Sequence, residues 1–235
     1  MTHFVLVGAG ALGSILAAHL LGSGHKVTLL ARGERAKYLT TQPLSVTGLL
    51  EHSALCSVVI EPRTIQHCDV LVLAVKTYHM ADALRSLSHI KASTIFSLAN
   101  GVSKTEQMQQ VFDSEAIMGC VADFSGELKA DGTARYTRNN CLYLGERHSS
   151  GSERLNSLVQ LLADTGLKTL AVDDIEQEEW SKFVIWVPVF LLAILSAQRT
   201  GEYLSDSVYA QRVVLILKEM GELTKALGVV LLNRS

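Results

Sequence analysis

The sequence is short of the features that most readily announce a partner or a compartment. It has no surplus of positive charge: 21 Lys and Arg stand against 23 Asp and Glu, a formal net charge of −2. Nothing is left over to collect phosphates along a nucleic acid, so that partner class is excluded. The four cysteines, Cys56, Cys68, Cys120 and Cys141, form no C-x-x-C pair. This argues against zinc knuckles and a disulfide framework, and a reducing cytoplasm is the expected location. There is no G-x-S-x-G nucleophile elbow and no H-E-x-x-H metal motif. The first residues lack the positive n-region of a signal peptide. The apolar run Phe183 to Ala197 falls short of the ~20 residues a bilayer crossing needs, and Pro188 interrupts it. A buried helix pair is the expected reading there, with a membrane span as the lesser alternative, and no membrane partner is expected.

What is present is apolar material. Of 235 residues, 48% are hydrophobic and 19% charged, with a mean hydropathy of +0.25. That is enough to offset the entropy of ordering a chain in one large or two small domains. His3 to Val7 is a compact apolar run, followed by GAGALG and by Leu12, Ile15, Leu16, His19 and Leu20 at helical spacing. This reads as strand, tight turn and helix. With the strand Lys26 to Ala31 it completes a βαβ unit. Strands are expected at Leu44 to Thr47, Leu55 to Ile60, Asp69 to Val75 and Thr94 to Leu98. Their alternation with helical patterns predicts an α/β fold, a Rossmann-type doubly wound sheet. Between Ala116 and Gly145, the segments Thr133 to Thr137 and Cys141 to Leu144, parted by Asn139-Asn140, are expected as antiparallel additions at one sheet edge. Ser152 to Ala163 reads as a helix and Leu167 to Val172 as a last strand. Everything after reads as helix, including one capped by Ser205 or Asp206 with Val213, Leu217, Met220, Leu223 and Leu227 on its apolar face. A nucleotide-binding domain over 1–172 and a smaller all-helical domain over 173–235 follow.

Gly8, Gly10 and Gly13 form G-x-G-x-x-G directly after the first strand. The first glycine permits the turn, the second lets backbone approach a pyrophosphate, and the third allows close helix packing; the helix N-terminus offers free N–H groups. Ala9, Ala11 and Leu12 complete the candidate cofactor loop. Where the second strand ends, an acid would accept from the ribose hydroxyl of NAD, and an Arg would take the extra phosphate of NADP. Arg32 stands there, Arg35 is placed to assist it, and Glu34 comes two residues late. NADP(H) is the expected cofactor. Lys76 and Asn100 follow two buried strands, at the ends where open α/β sheets bind ligands; a loop-capping Lys and a turn Asn are the plainer alternatives. Lys182 lies between Trp180 and the apolar run, where its ammonium is either desolvated for proton donation or snorkels from a buried helix. The acids Asp173, Asp174, Glu176, Glu178 and Glu179 favour a helix N-terminus rather than a metal, and no metal is expected.

GAGALGS, VLAVKTYH around Lys76, LANGV around Asn100, EEWSKF around Lys182 and GEYL at 201–204 together resemble the ketopantoate reductase (2-dehydropantoate 2-reductase) family, in its order and over nearly the whole chain. The resemblance implies a cytoplasmic oxidoreductase of pantothenate biosynthesis that uses NADPH to reduce a 2-keto acid to the 2-hydroxy acid. Hydride would come from nicotinamide C4 and the proton from Lys182, with Lys76, Asn100 and Lys182 lining the substrate site. Three departures stand out. Trp186 and Phe190 occupy positions where the family's helix carries two Asn that hold the substrate. His79 stands where Gln is usual, and the family's later helices have no counterpart before Ser235. They leave open which keto acid is used. They also admit an alternative, a truncated relative that binds NADP(H) without catalysis, as a binding or interaction protein. The uncovered apolar helices predict a homodimer through the helical domain, or a chain of low stability.

Overall fold

The computed structural model describes residues 1–147 and 151–232; Ser235 lies outside the described residues. The elements are β1 (His3–Val7), α1 (Ala11–Gly22), β2 (Lys26–Leu30), α2 (Gly33–Thr41), β3 (Leu44–Gly48), β4 (His52–Ala54), β5 (Ser57–Val59), β6 (His67–Leu73), α3 (Met80–Leu87), β7 (Lys91–Ser97), α4 (Lys104–Gln109), β8 (Gly119–Leu128), β9 (Ala134–Gly145), α5 (Glu153–Asp164), β10 (Thr169–Ala171), α6 (Ile175–Ser196), α7 (Thr200–Ser205) and α8 (Ser207–Ala226). The chain divides into two compact units, Met1–Ile175 and Glu176–Ser235.

The first unit is built on a parallel sheet of order β5-β2-β1-β6-β7. Its central strands run apolar over Phe4–Val7 and Val70–Leu73, because both faces are covered there. Side chains alternate across a strand, and the alternation divides β1 between two cores. Phe4 and Leu6 join the cluster that contains Ile15, Leu16 and Leu20 of α1, while Val5 and Val7 join the one that contains Leu84, Leu87 and Met108 of α3 and α4. The strand order reverses outward from β1, so β1 and β6 flank the switch point where open sheets bind ligands beyond their carboxyl ends.

The segments expected as edge additions form a sheet of their own. It runs β10-β9-β3-β4, with β8 paired antiparallel to β9. Helix α1 contacts β1 and β2 as well as β3, β8 and β9, which explains why it is apolar nearly all round, with every residue from Gly13 to Leu20 buried. His19 is packed there too. Its Nδ1 lies 2.8 Å from the Thr165 carbonyl and its ring meets Tyr136 edge-on, and burial lowers its pKa. Asn139-Asn140 makes no turn. β9 runs through both residues, and the ladder accommodates them by register shifts beside Asp123 and Ser125. Asn140 Nδ2 donates to Asp123 across the ladder, and Asn139 Nδ2 donates to the Gly166 carbonyl.

The N-terminus of α5 is secured by ion pairing. Arg154 donates from Nε and Nη2 to the two oxygens of Glu146, and from Nη1 to the carbonyls of Glu115 and Ser93. The Glu146 side chain is only 8% exposed, so Arg154→Met would strand a buried carboxylate. Thermal or urea unfolding should show a loss of roughly 2–3 kcal/mol.

The second unit is helical. The expected helix pair over Phe183 to Ala197 is instead the one helix α6, which continues through Pro188. Neither is the run buried: Ile194 is 76% and Leu195 67% exposed. At 22 residues, α6 is long and apolar enough to cross a membrane by length and composition, a test that core helices of soluble proteins also pass. Asp206 caps α8 by accepting from the Val208 N–H at 2.7 Å. Of the apolar face predicted for α8, Val213 is buried and Leu217 packs on the small core around Leu192 and Tyr203, whereas Leu223 and Leu227 are exposed. That core is pinned by the Tyr203 hydroxyl, which donates to the Val189 carbonyl at 2.7 Å.

Candidate active site

The turn from β1 into α1 is shaped by what its glycines leave out. Gly8 adopts φ +108°, and a Cβ there would lie 2.8 Å from the Ala74 carbonyl oxygen. At Gly13 a Cβ would lie 2.1 Å from the Gly8 carbonyl oxygen, so only glycine lets the helix approach the strand this closely. Gly10 differs: a Cβ there would meet nothing within 4 Å. It caps α1 with no side-chain hydrogen bond, and the first turn carries no acid. The site therefore combines open space, unneutralised N–H groups and the positive end of the helix dipole.

Neighbouring strand ends contribute the other residues. Arg32, exposed, follows β2 at the N-cap of α2, just before Gly33 at φ +60°. Glu34, the only acid nearby in sequence, turns to its own helix and pairs with Lys37 at 2.7 Å. Lys76 follows β6 and is exposed, starting a single helical turn that leads to α3. Asn100 follows β7, also exposed. The two loops are tied together, because Thr77 Oγ1 donates to the Asn100 carbonyl at 3.0 Å. Behind them the buried Lys104 donates to the Gly101 carbonyl at 3.3 Å. Neither Thr77 nor Lys104 was a sequence candidate; each acts through a backbone carbonyl that no sequence pattern marks.

Gly8 to Gly13, Arg32, Lys76 and Asn100 thus share one edge of the parallel sheet. Lys182 is not among them. It lies in the second unit, half-buried on α6, with Trp186 and Phe190 one and two turns further along the same helix face. Those two rings stack, with centroids 5.3 Å apart at 23°. Glu176 and Glu178 sit in the first turn of α6. Among the described residues no cluster of three or more His, Cys, Asp or Glu could hold a metal ion. The Cys68 thiol is pushed up to about 12 by burial, so it supplies no nucleophile.

Arg35 corrects the sequence reading. It does not stand beside Arg32 to share an anion but turns into the protein. Its Nε donates to the Ala9 carbonyl at 2.8 Å, Nη1 to the Gly132 carbonyl at 2.7 Å and Nη2 to Ser14 Oγ at 3.0 Å. The guanidinium also lies 5.2 Å from the centre of the Tyr38 ring. Burial makes its proton easier to lose than an ordinary guanidinium's, and the nearby Tyr38 and Cys56 oppose that.

Comparison with known proteins decides the family. Residues 4–149 match the family described as ApbA, ketopantoate reductase PanE/ApbA. The chain belongs to the ketopantoate reductase family. A 2-dehydropantoate 2-reductase of Archaeoglobus fulgidus is 27% identical over 197 residues, which is 84% of this chain and 65% of that protein. The chain therefore spans less than two thirds of that relative's length. Among solved structures, the PanE/ApbA family ketopantoate reductase of Ralstonia eutropha JMP134 superposes with a TM-score of 0.89 at 19% identity, covering 98% of this chain and 76% of the other. A D-mandelate dehydrogenase in ternary complex with NADH and anilino(oxo)acetate gives 0.87 at 18% identity, covering 97% and 75%. These likenesses establish the fold, a Rossmann-like parallel sheet followed by a helical C-terminal region.

Proposed function

We propose that this ketopantoate reductase family member binds NADP(H) at the loop Gly8, Ala9, Gly10, Ala11, Leu12 and Gly13 and reduces a 2-keto acid to the 2-hydroxy acid. The observation that carries the reading is the open side of Gly10 at an uncapped helix N-terminus, flanked by two glycines whose missing side chains are needed for packing. That arrangement fits a pyrophosphate. Arg32, rather than an acid, ends β2, and supplies the fork for a ribose 2′-phosphate. A reduced nicotinamide, when bound, supplies hydride to the keto carbon. Lys182 holds the proton destined for the keto oxygen and lends positive charge as the alkoxide develops. Lys76 and Asn100 orient the polar groups of the nicotinamide end and the keto acid.

The substrate follows from α6. Relatives carry the name 2-dehydropantoate 2-reductase, and ketopantoate would place the chain in pantothenate biosynthesis. The stacked Trp186 and Phe190 near Lys182 favour a keto acid with an apolar or aromatic side chain, because a hydroxylated one would leave its polar groups unpaired. The exposed apolar side chains of α6, Ile185, Ile194 and Leu195 among them, support a homodimer through the helical unit. A cytoplasmic location is in keeping with four cysteines that form no disulfide among the described residues.

Titration of NADPH and NADH by fluorescence tests the cofactor. The wild-type chain should prefer NADPH by at least about tenfold, and Arg32→Ala should weaken NADPH by about tenfold while barely moving NADH. Equal affinities in the wild type would overturn the role of Arg32. The second reading, a relative that binds the dinucleotide without turnover, is favoured by the stacked rings of Trp186 and Phe190 on the helix face that carries Lys182. It predicts NADPH binding with no keto acid consumed.

A further inference from the structure

Arg35 places three polar contacts on three different segments, and the one that matters most falls inside the cofactor loop. The Ala9 carbonyl, between Gly8 and Gly10, accepts both Arg35 Nε at 2.8 Å and Ser14 Oγ at 3.2 Å. Ser14 Oγ in turn accepts Arg35 Nη2, which closes a ring of hydrogen bonds. In a planar trans peptide the carbonyl and the next N–H point in opposite directions. Holding the Ala9 oxygen inward therefore aims the Gly10 N–H away from Arg35. With glycine on the far side of that bond, rotation of the Ala9–Gly10 peptide meets no side chain at residue 10. Rotated, it would present a carbonyl oxygen where an anion is to bind.

The other end of the clamp is equally built. Nη1 reaches the Gly132 carbonyl in the connection between β8 and β9. Gly132 sits at φ +86°, and a Cβ there would strike the Tyr38 ring at 2.5 Å, so that connection is docked against α2. Arg35 lies three residues after Arg32, on the first turn of α2. The helix whose N-cap offers Arg32 is thus fastened by one guanidinium to the loop that offers Gly10.

We infer that Arg35 is a positioning residue for the dinucleotide site, locking the Ala9–Gly10 peptide with its N–H outward and fixing α2, and with it Arg32, relative to the glycine loop. This rests on the dinucleotide-binding function proposed above. Arg35 touches no phosphate itself. Its loss should weaken everything that uses the loop, whereas loss of Arg32 should weaken only what carries the 2′-phosphate.

The test is calorimetric titration of NADPH and NADH into wild type, Arg35→Met, Arg35→Lys and Ser14→Ala, all well below their melting temperatures. Hydrogen exchange of the 8–14 segment is followed without dinucleotide. Arg35→Met should weaken both dinucleotides by about tenfold or more, leave their ratio unchanged and speed exchange in the free protein. Arg35→Lys keeps the charge but not the fork, so it should stay at least about fivefold weakened. Ser14→Ala should weaken both equally and less. Should Arg35→Met fail to fold, Arg35→Lys and Ser14→Ala carry the decision. The inference is overturned if the folded variants bind both dinucleotides within about twofold of wild type, or if Arg35→Lys restores full affinity. A wild-type chain that binds neither dinucleotide overturns the proposed function, and this inference falls with it.

Discussion

Lys182→Met is expected to lower kcat by two to four orders of magnitude, the usual contribution of a positioned general acid, while NADPH titrates as in the wild type. Met keeps the alkyl stem and the helix propensity, so α6 should retain its form. Lys182 is not among the residues assigned to the dinucleotide, so NADPH affinity serves as the control for an intact cofactor loop. Steady-state turnover at saturating keto acid, with circular dichroism as a control, measures this. A kcat within about tenfold of wild type would remove Lys182 from the proton-donor role.

The second large effect separates two glycines only three residues apart. In Gly13→Ala the new Cβ would lie 2.1 Å from a backbone oxygen and 3.1 Å from the Ala74 Cβ, with no flexible side chain to give way. The loop must deform, so both the melting temperature and NADPH affinity should fall, the affinity by about a hundredfold or more. In Gly10→Ala nothing lies within 4 Å of the new Cβ and φ is −73°, ordinary for any residue. Stability of the free protein should stay within about 0.5 kcal/mol, yet the methyl would occupy the face that the pyrophosphate approaches, and NADPH affinity should collapse. Melting curves and titrations on the two variants read both quantities. A Gly10→Ala chain with wild-type affinity would contradict the placement of the pyrophosphate.

What could be read from the sequence was local. GAGALG between an apolar run and a helical pattern specifies its own turn, and DVLVLAV specifies a strand buried on both faces, because the determinants lie within a few residues. The second sheet depends on β3 pairing with β9, Val46 beside Ala134, and no spacing announces such a partner. Asn139-Asn140 has the composition of a turn, but side-chain bonds to Asp123 on β8 and to the Gly166 carbonyl hold it in β9. The role of Arg35 is hidden from local sequence for the same reason. Its acceptors at Ala9 and Gly132 are 26 and 97 residues away, whereas its neighbour Arg32 is next door. The run Phe183 to Ala197 misled differently: apolar composition suggested burial, and the structure leaves much of it exposed.

The central claim, that this chain couples NADPH to keto acid reduction, is tested most directly by stoichiometry. Purified 235-residue protein is incubated with NADPH and a panel of 2-keto acids, aromatic, aliphatic and hydroxylated, and the 2-hydroxy acid formed is counted against NADPH consumed. One-for-one conversion of at least one keto acid, greatest for apolar or aromatic side chains, is the predicted result. NADPH that binds and is never consumed, whatever the keto acid, would contradict it.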